Sequence, residues 1–482
     1  MTANDILTVL PPLILVIGGI VVLMIDLAIP RERKSVTGWL SAIPLAAALV
    51  AVLFLWGQTM TGFNDMVALD SYALFLDGLF GAIALVTLLL ALRYNESRGI
   101  LRGEFYPLLL FAVSGMMLMG HSVDLLMVFL SLELLSIPLY ILCGIARPRP
   151  ESEESALKYF LLGAFASGFL VYGIALLYGS TGTTNLNAMA AAVIAGKYTT
   201  PLLLFAGAGL MMVGLGFKVA AVPFHMWTPD VYEGAPTSVT VLMATATKAA
   251  GFAAILRVFL FGLGDISAAW QPAIAVIAAL TMILGNLVAL AQTNLKRMLA
   301  YSSIAHAGYA LVGVSAGGEQ GVGAVLFYLA AYACSTLAAF AVMTVMGTPA
   351  GEDQSIDAYA GLARRRPLLA LVMTVSMLSL TGIPPTAGFV GKYFLFQSAV
   401  ISGQVWLAVI GVLTSVISAA YYLRVVVVMF MREPDQQPAP MSATGTPRGV
   451  AIALSAFATL AIGILPAPLL SLVYQGAQVI VR

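Results

Sequence analysis

Six basic side chains of this 482-residue chain lie inside hydrophobic stretches rather than in the polar segments between them: Lys158, Lys218, Lys248, Arg257, Lys392 and Arg424. Glu133 sits in a further such stretch, SLELLSIP. An ionisable group near a bilayer centre costs roughly 2.5–3.5 kcal/mol even on insertion scales, so its presence calls for a function. The chemistry such a set supports is proton carriage. Desolvation favours the neutral amine of a buried lysine, and a nearby carboxylate favours the ammonium. At about 7 Å and an effective dielectric of about 20, opposite charges attract by roughly 2.4 kcal/mol. A shift of Glu133 relative to Lys218 by a few ångströms would switch the lysine between holding and releasing its proton, and the set would titrate as a coupled group.

Depth separates carriers from anchors. Lys248 and Glu133 each fall about 11 residues into a span, some 16 Å deep at about 1.5 Å per residue, which is the midplane. Lys218 precedes Pro223, and Lys392 follows Pro384 and Pro385. These four are too deep to snorkel cheaply. Lys158 begins its span beside the polar segment ARPRPESEESA and suits an interfacial anchor or a carrier equally. Arg257 and Arg424 are fixed cations and fit ion pairing, and Asp77 reads as structural. His306 in AYSSIAHAGY and His225 in VPFHMW suit either a proton relay or a helix-bridging hydrogen bond.

These groups must be positioned by membrane helices. The chain is 61% hydrophobic and 9% charged, with a mean hydropathy of +0.98, whereas soluble domains carry about 25% charged residues. Continuous apolar runs of about 20 residues imply an all-α polytopic protein, because helices satisfy their own backbone in lipid. Hydrophobic length places fourteen spans near 6–29, 36–56, 72–93, 106–120, 122–144, 156–179, 201–226, 237–262, 272–292, 299–316, 321–347, 367–399, 405–431 and 449–474. The first lacks a basic n-region and a small-residue cleavage site, so it reads as a retained span. Alternate loops hold Arg31, Arg33, Lys34, Arg93, Arg98, Arg102, Arg147, Arg149, Lys296, Arg297, Arg364, Arg365, Arg366, Arg432 and Arg448. The opposite loops and termini hold only Lys197 and Arg482, which places both termini outside the cytoplasm.

Two spans are interrupted, the seventh by Pro223 and the twelfth by Gly382, Pro384, Pro385 and Gly388. Superposing Pro223 on Pro384 gives two five-span units of opposite sense, 106–262 and 272–431, the inverted-repeat plan of many transporters. Residues 1–105 then form a three-helix N-terminal region and 449–482 a C-terminal helix. Cys143 and Cys334 are isolated in apolar runs and support neither a disulfide nor a thiolate metal site. No nucleotide-binding or metalloprotease signature occurs in the required context, and three histidines with two cysteines do not furnish haem and iron–sulfur ligation.

FLSLELLSIPLYIL, KVAAVPFHMWTPDVYEGAPTSVT, NLKRMLAYSSIAHAGY and LTGIPPTAGFVGKYF together resemble subunit N of bacterial NADH-quinone oxidoreductase (respiratory complex I), one of the antiporter-like membrane subunits. The resemblance spans the whole chain and implies a proton-pumping module. Glu133 and Lys218 match the family's Glu–Lys pair, Lys248 its central lysine and Lys392 its exit-side lysine; Lys158 also matches a lysine position. FMN, iron–sulfur clusters and the quinone site are implied in partner subunits, with no cofactor in this chain. Subunits M, K and J and the lipid bilayer are the partners implied, nucleic acid is not, and the bacterial inner membrane is the location. The wider family usually has a PLH-x-W-LPDA-like segment, and larger relatives carry His and Lys where LFYLAAYACSTLAAF here offers tyrosines, Cys334, Ser335 and Thr336. Subunit L has a long lateral helix after its last span, whereas this chain ends at Arg482. A stand-alone or Mrp-type cation/proton antiporter is the competing reading, and a non-transporting membrane scaffold a third.

Overall fold

Apolar backbone in lipid has no water to bond, and helices dominate the computed structural model, which describes residues 2–100, 102–347, 352–433 and 441–481. Parts of the polar segments 348–366 and 432–448, and Arg482, lie outside the described residues. Among the described residues ten helices are long and apolar enough to cross a membrane, including Ser71–Ser97, Leu125–Cys143, Pro150–Thr181, Pro201–Val219, Thr237–Gly262 and Gly318–Met343. Five more are apolar but shorter: Leu10–Asp26, Phe105–His121, Pro367–Thr381, Ala387–Ile401 and Ala467–Ile480. Peripheral helices turn side chains such as Leu53, Phe54 and Leu202 outward, as a lipid-facing surface requires. The chain is a multi-pass membrane protein.

Thr237–Gly262 lies at the centre, its apolar window wholly buried. It packs against Ser71–Ser97, Phe105–His121, Pro201–Val219 and Gly318–Met343. Its winding loosens twice into π-helix, at Met243–Thr247 and Leu256–Gly262, and Lys248 follows the first of these directly. Such bulges concentrate at functional positions because they re-aim side chains and free backbone groups.

The connecting segments gather into two sets. In one, Arg98 pairs with Glu352, Arg149 donates to the Arg98 carbonyl, Arg297 pairs with Glu233, and Arg448 reaches Ser97. In the other, Asp5 accepts from the Phe63 amide, Val123 donates to the Met66 carbonyl, Leu125 to the Thr184 carbonyl, and Gln478 to Glu319.

Both interrupted spans end in a left-handed residue. Pro201–Val219 stops at Ala220 (φ +62°) and Pro367–Thr381 at Gly382 (φ +94°). Pro223 and Pro385 each lie three residues beyond their cap. The matching position of Pro223 is therefore Pro385, one residue from the superposition on Pro384. The two broken spans differ in where they carry charge: Lys218 precedes its break, whereas Lys392 follows on the second piece, Ala387–Ile401.

Three other features depart from the sequence reading. An antiparallel hairpin, Met60–Gly62 with Val67–Leu69, interrupts the all-α plan, its tip at Phe63, Asn64 and Asp65 turned by positive φ. Strands of three residues are too short to leave a periodic pattern. The C-terminal span is two helices, Thr446–Ile464 and Ala467–Ile480, because Pro466 cannot donate within a continuing helix. Pro150–Thr181 begins earlier than the apolar run at 156, with Pro150 in its first turn and Glu151 and Glu153 favourably placed at its N-terminus.

Candidate functional site

Lys218 occupies the last turn of Pro201–Val219 and is buried. Its Nζ donates to Ser136 Oγ at 2.8 Å and to the Tyr159 hydroxyl at 3.1 Å. Tyr159 stacks on Trp227 with ring centres 4.7 Å apart, which fixes the hydroxyl. Ser136 lies one turn beyond Glu133 on Leu125–Cys143, so the carboxylate and the ammonium share a neighbourhood. They form no ion pair: Glu133 is half-buried and accepts from Ser167 Oγ at 2.5 Å.

Gly251 brings Lys218 against the central helix. A Cβ there would stand 2.7 Å from Val219 Cγ1 and 3.4 Å from Lys218 Cγ. Lys248, one turn earlier on the same helix, is buried and donates to the Ser303 carbonyl. Ser303, His306 and Tyr309 recur at intervals of three on Leu295–Ala316 and so share a face. His306 is held from both ring nitrogens, by the Tyr328 hydroxyl at Nδ1 (2.6 Å) and the Tyr422 hydroxyl at Nε2 (3.1 Å). Tyr422 also bonds Ser302.

Lys392 completes the series. Its Nζ donates to the carbonyls of Leu380 (2.9 Å) and Thr381 (2.8 Å) and to Ser415 Oγ (2.8 Å). Those carbonyls are the unsatisfied last ones of Pro367–Thr381, where the helix dipole favours a cation. The Nζ also sits 4.6 Å from the centre of the Tyr309 ring. Gly388 lets the second piece lie against the first, since a Cβ there would fall 1.8 Å from the Ser379 carbonyl oxygen. Lys218, Lys248, His306 and Lys392 thus form a series of buried polar groups on neighbouring helices, a string in which each is bonded to hydroxyls or carbonyls.

The remaining candidates sit elsewhere. Lys158 is half-exposed and pairs with Glu154 (2.6 Å) and Asp230 (2.7 Å); Asp230 also receives Arg297 (2.9 Å). Burial pushes the Asp230 carboxyl up, but hydrogen bonds from Lys158 and Arg297 outweigh it and hold the carboxyl below its usual range. Around this group opens a polar cavity of about 730 Å³, lined also by Glu233, Lys296 and Glu352. His225 is half-buried just past the first break, and none of the hydrogen bonds among the described residues joins it to the string. Arg257 pairs with Asp70 at 2.7 Å. Arg424 differs from the ion-pairing expectation: it donates to the carbonyls of Leu290 (3.2 Å) and Gln292 (2.5 Å), closing the end of Ser267–Leu290. Asp77 is fully buried and meets His121, which the sequence reading passed over, at 2.8 Å. Among the described residues no cluster of His, Cys, Asp or Glu could hold a metal ion.

A membrane helix bundle with broken helices and lysines at their breaks defines an antiporter-type membrane subunit. Residues 122–418 match the family described as NADH:quinone oxidoreductase/Mrp antiporter, transmembrane. The chain is 47% identical to NADH-quinone oxidoreductase subunit N of Chloroflexus aggregans, over 99% of this chain and 98% of that protein. It belongs to the NADH-quinone oxidoreductase subunit N family. A chain of respiratory complex I from Thermus thermophilus superposes with a TM-score of 0.81 at 38% identity, covering 96% of this chain and 98% of that one. A chain of the Mrp complex from Dietzia shares the fold, with a TM-score of 0.83 at 24% identity over 99% and 97% of the two chains.

Proposed function

We propose that the chain translocates protons as a membrane subunit of NADH:quinone oxidoreductase, driven by quinone reduction in other subunits. The observation that carries this reading is the company kept by Lys218, Lys248 and Lys392. Each hydrogen bond from their ammonium groups goes to a hydroxyl or a carbonyl, and none of the ion pairs among the described residues includes them. The permanent cation Arg257, by contrast, is paired with the Asp70 carboxylate. A lysine on neutral partners can exist with or without its proton, and a carrier requires both states.

In this reading Glu133 tunes Lys218, Lys248 is the central station, His306 bridges to Lys392, and Lys392 delivers. Lys158 acts as an anchor in the Asp230 ion-pair group, and His225 lies beside the route. Fourteen spans, with inverted repeats at 106–262 and 272–431, fit the matched registers of Pro223 and Pro385. Residues 1–105 and 449–482 flank the repeats, and both termini face the periplasm of a bacterial inner membrane. FMN, iron–sulfur clusters and quinone belong to partner subunits, with M, K and J as membrane neighbours. Against about 100 mV each proton costs roughly 2.3 kcal/mol, so a redox-scale driver is needed.

In the intact complex, Lys218→Ala, Lys248→Ala and Glu133→Ala should lower proton pumping and NADH-to-quinone turnover together. Electron transfer to artificial acceptors should persist, since the electron carriers lie in other subunits. Lys248→Arg should be nearly as damaging, because guanidinium keeps its charge and its proton. Wild-type pumping in these variants would defeat the reading. Cation/proton exchange by the purified, folded chain alone in liposomes, lost in Lys218→Ala, would replace it with the antiporter.

A further inference from the structure

Asp77 and His121 are both fully buried, one on Ser71–Ser97 and the other at the last position of Phe105–His121. His121 Nε2 and Asp77 Oδ2 are 2.8 Å apart. The other oxygen of Asp77 and the other ring nitrogen of His121 have no hydrogen-bond partner among the described residues. Each member thus keeps one polar atom to take up or release a proton while the other holds the pair. Ser114, two turns back from His121 on the same helix face, and Thr247, beside Lys248, likewise carry buried hydroxyls without partners.

These groups lie along one seam. Phe105–His121 packs on the central helix at both Met243–Thr247 and Lys248–Ile255. The two helices run in the same sense: Thr237 meets Tyr94 near the start of Phe105–His121, and Arg257 meets the Gly120 carbonyl near its end. Counting back from that contact at about 1.5 Å per residue puts Ser114 within about one helical turn of the depth of Lys248. His121 then stands two turns further toward the end of the bundle where the 60–69 hairpin bridges to Ser122. The charged and titratable groups facing the pair are Asp70 and Arg257, which neutralise each other at 2.7 Å, and Tyr72, over whose ring Arg257 sits.

We infer that His121 and Asp77 form a second proton-carrying pair, about two helical turns beyond the depth of Lys248 toward the hairpin end of the bundle. The inference rests on the proton-translocating reading above. The neutral imidazole takes up one proton arriving from the Lys248 side at its unbonded ring nitrogen and becomes imidazolium against the Asp77 carboxylate, then returns to neutral by giving one proton to water at the hairpin end. One proton enters and one leaves, and nothing is oxidised or reduced. Arg257, a permanent cation neutralised by Asp70, positions the Gly120–His121 turn without carrying protons.

The test uses the intact complex in proteoliposomes, reading the initial rate of proton uptake, NADH-to-quinone turnover and the redox-induced infrared difference spectrum. Asp77→Asn and His121→Gln should assemble and lose several-fold in both rates. Asp77→Glu should restore most of the loss. A deuterium-sensitive imidazole band accompanied by carboxylate bands should be present in the wild type, lose the carboxylate part in Asp77→Asn and shift in Asp77→Glu, a signature that a bracing pair would not give. The double variant Asp77→Leu with His121→Leu replaces the pair by apolar bulk and should assemble yet remain slow. Wild-type rates in the double variant would overturn the inference, as would failure of every variant to assemble, which marks the pair as structural. Loss of pumping in Lys248→Ala beside an unaffected double variant would sink this inference alone; pumping unaffected in both would sink the underlying reading.

Discussion

Lys392 and Lys218 look alike in a sequence and differ in what holds them. Lys392 rests on two backbone carbonyls and Ser415, a cradle made by the helix end, whereas Lys218 rests on side-chain hydroxyls of Ser136 and Tyr159. His306 between Lys248 and Lys392 depends on two tyrosines, one of them on the helix where larger relatives are expected to carry His and Lys. Tyr328→Phe leaves His306 Nδ1 without its partner, a loss of about 1–3 kcal/mol for a buried polar group. With about 1.4 kcal/mol per tenfold in rate, turnover of the intact complex should fall roughly tenfold. Wild-type turnover in this variant would remove His306 from the route. The lysines and Glu133 were legible because a charge in an apolar run has no ordinary explanation. Ser136, Tyr159, Tyr422 and Ser415 were not, since neutral polar residues occur throughout membrane helices and only packing shows which of them meet. His121 was missed for a related reason: it ends its helix, where a polar residue is unremarkable, and its partner Asp77 lies 44 positions away.

At the scale of elements, the break at 382–386 both exposes the carbonyls that Lys392 uses and turns the chain so that Ala387–Ile401 packs beside Pro367–Thr381. Gly388 is the tightest point of that contact. Gly388→Ala places a methyl against the Ser379 carbonyl, backbone that cannot rotate away, so the two pieces must separate. Overpacking of this kind costs about 1–3 kcal/mol or more. Lys392 should then lose its carbonyl partners, pumping should fall, and the heat stability of the complex should drop. Replacing Pro384 and Pro385 by alanine should act through the same cradle with assembly better preserved, because no atoms are added. Normal pumping in Gly388→Ala would separate the break from the function of Lys392. Proline and glycine announced both breaks in the sequence, yet counted from the left-handed caps, Ala220 and Gly382, Pro223 lines up with Pro385 rather than Pro384. Alanine carries no signal for a left-handed cap.

At the scale of the whole molecule, two independent patterns coincide. The basic loops that the charge count assigns to one side are the loops found in mutual contact, through Arg98 with Glu352, Arg448 with Ser97 and Arg432 with Asp357. The segments on the other side, Asp5, Val123 and Asn185 among them, gather around the 60–69 hairpin, and Gln478 meets Glu319. Lysine and arginine are retained on the cytoplasmic side during insertion, so the first set should face the cytoplasm. Single cysteines make this testable, with a membrane-impermeant thiol reagent added to right-side-out or inverted vesicles. The native Cys143 is buried and Cys334 only partly accessible, so their background should be low. Cysteines at Arg33, Arg147 and Arg364 should react only in inverted vesicles, and one at Lys197 only in right-side-out ones. Arg147 and Arg364 are well exposed, so failure to react would report sidedness rather than burial. Reaction of Arg147→Cys and Lys197→Cys from the same side would break the orientation.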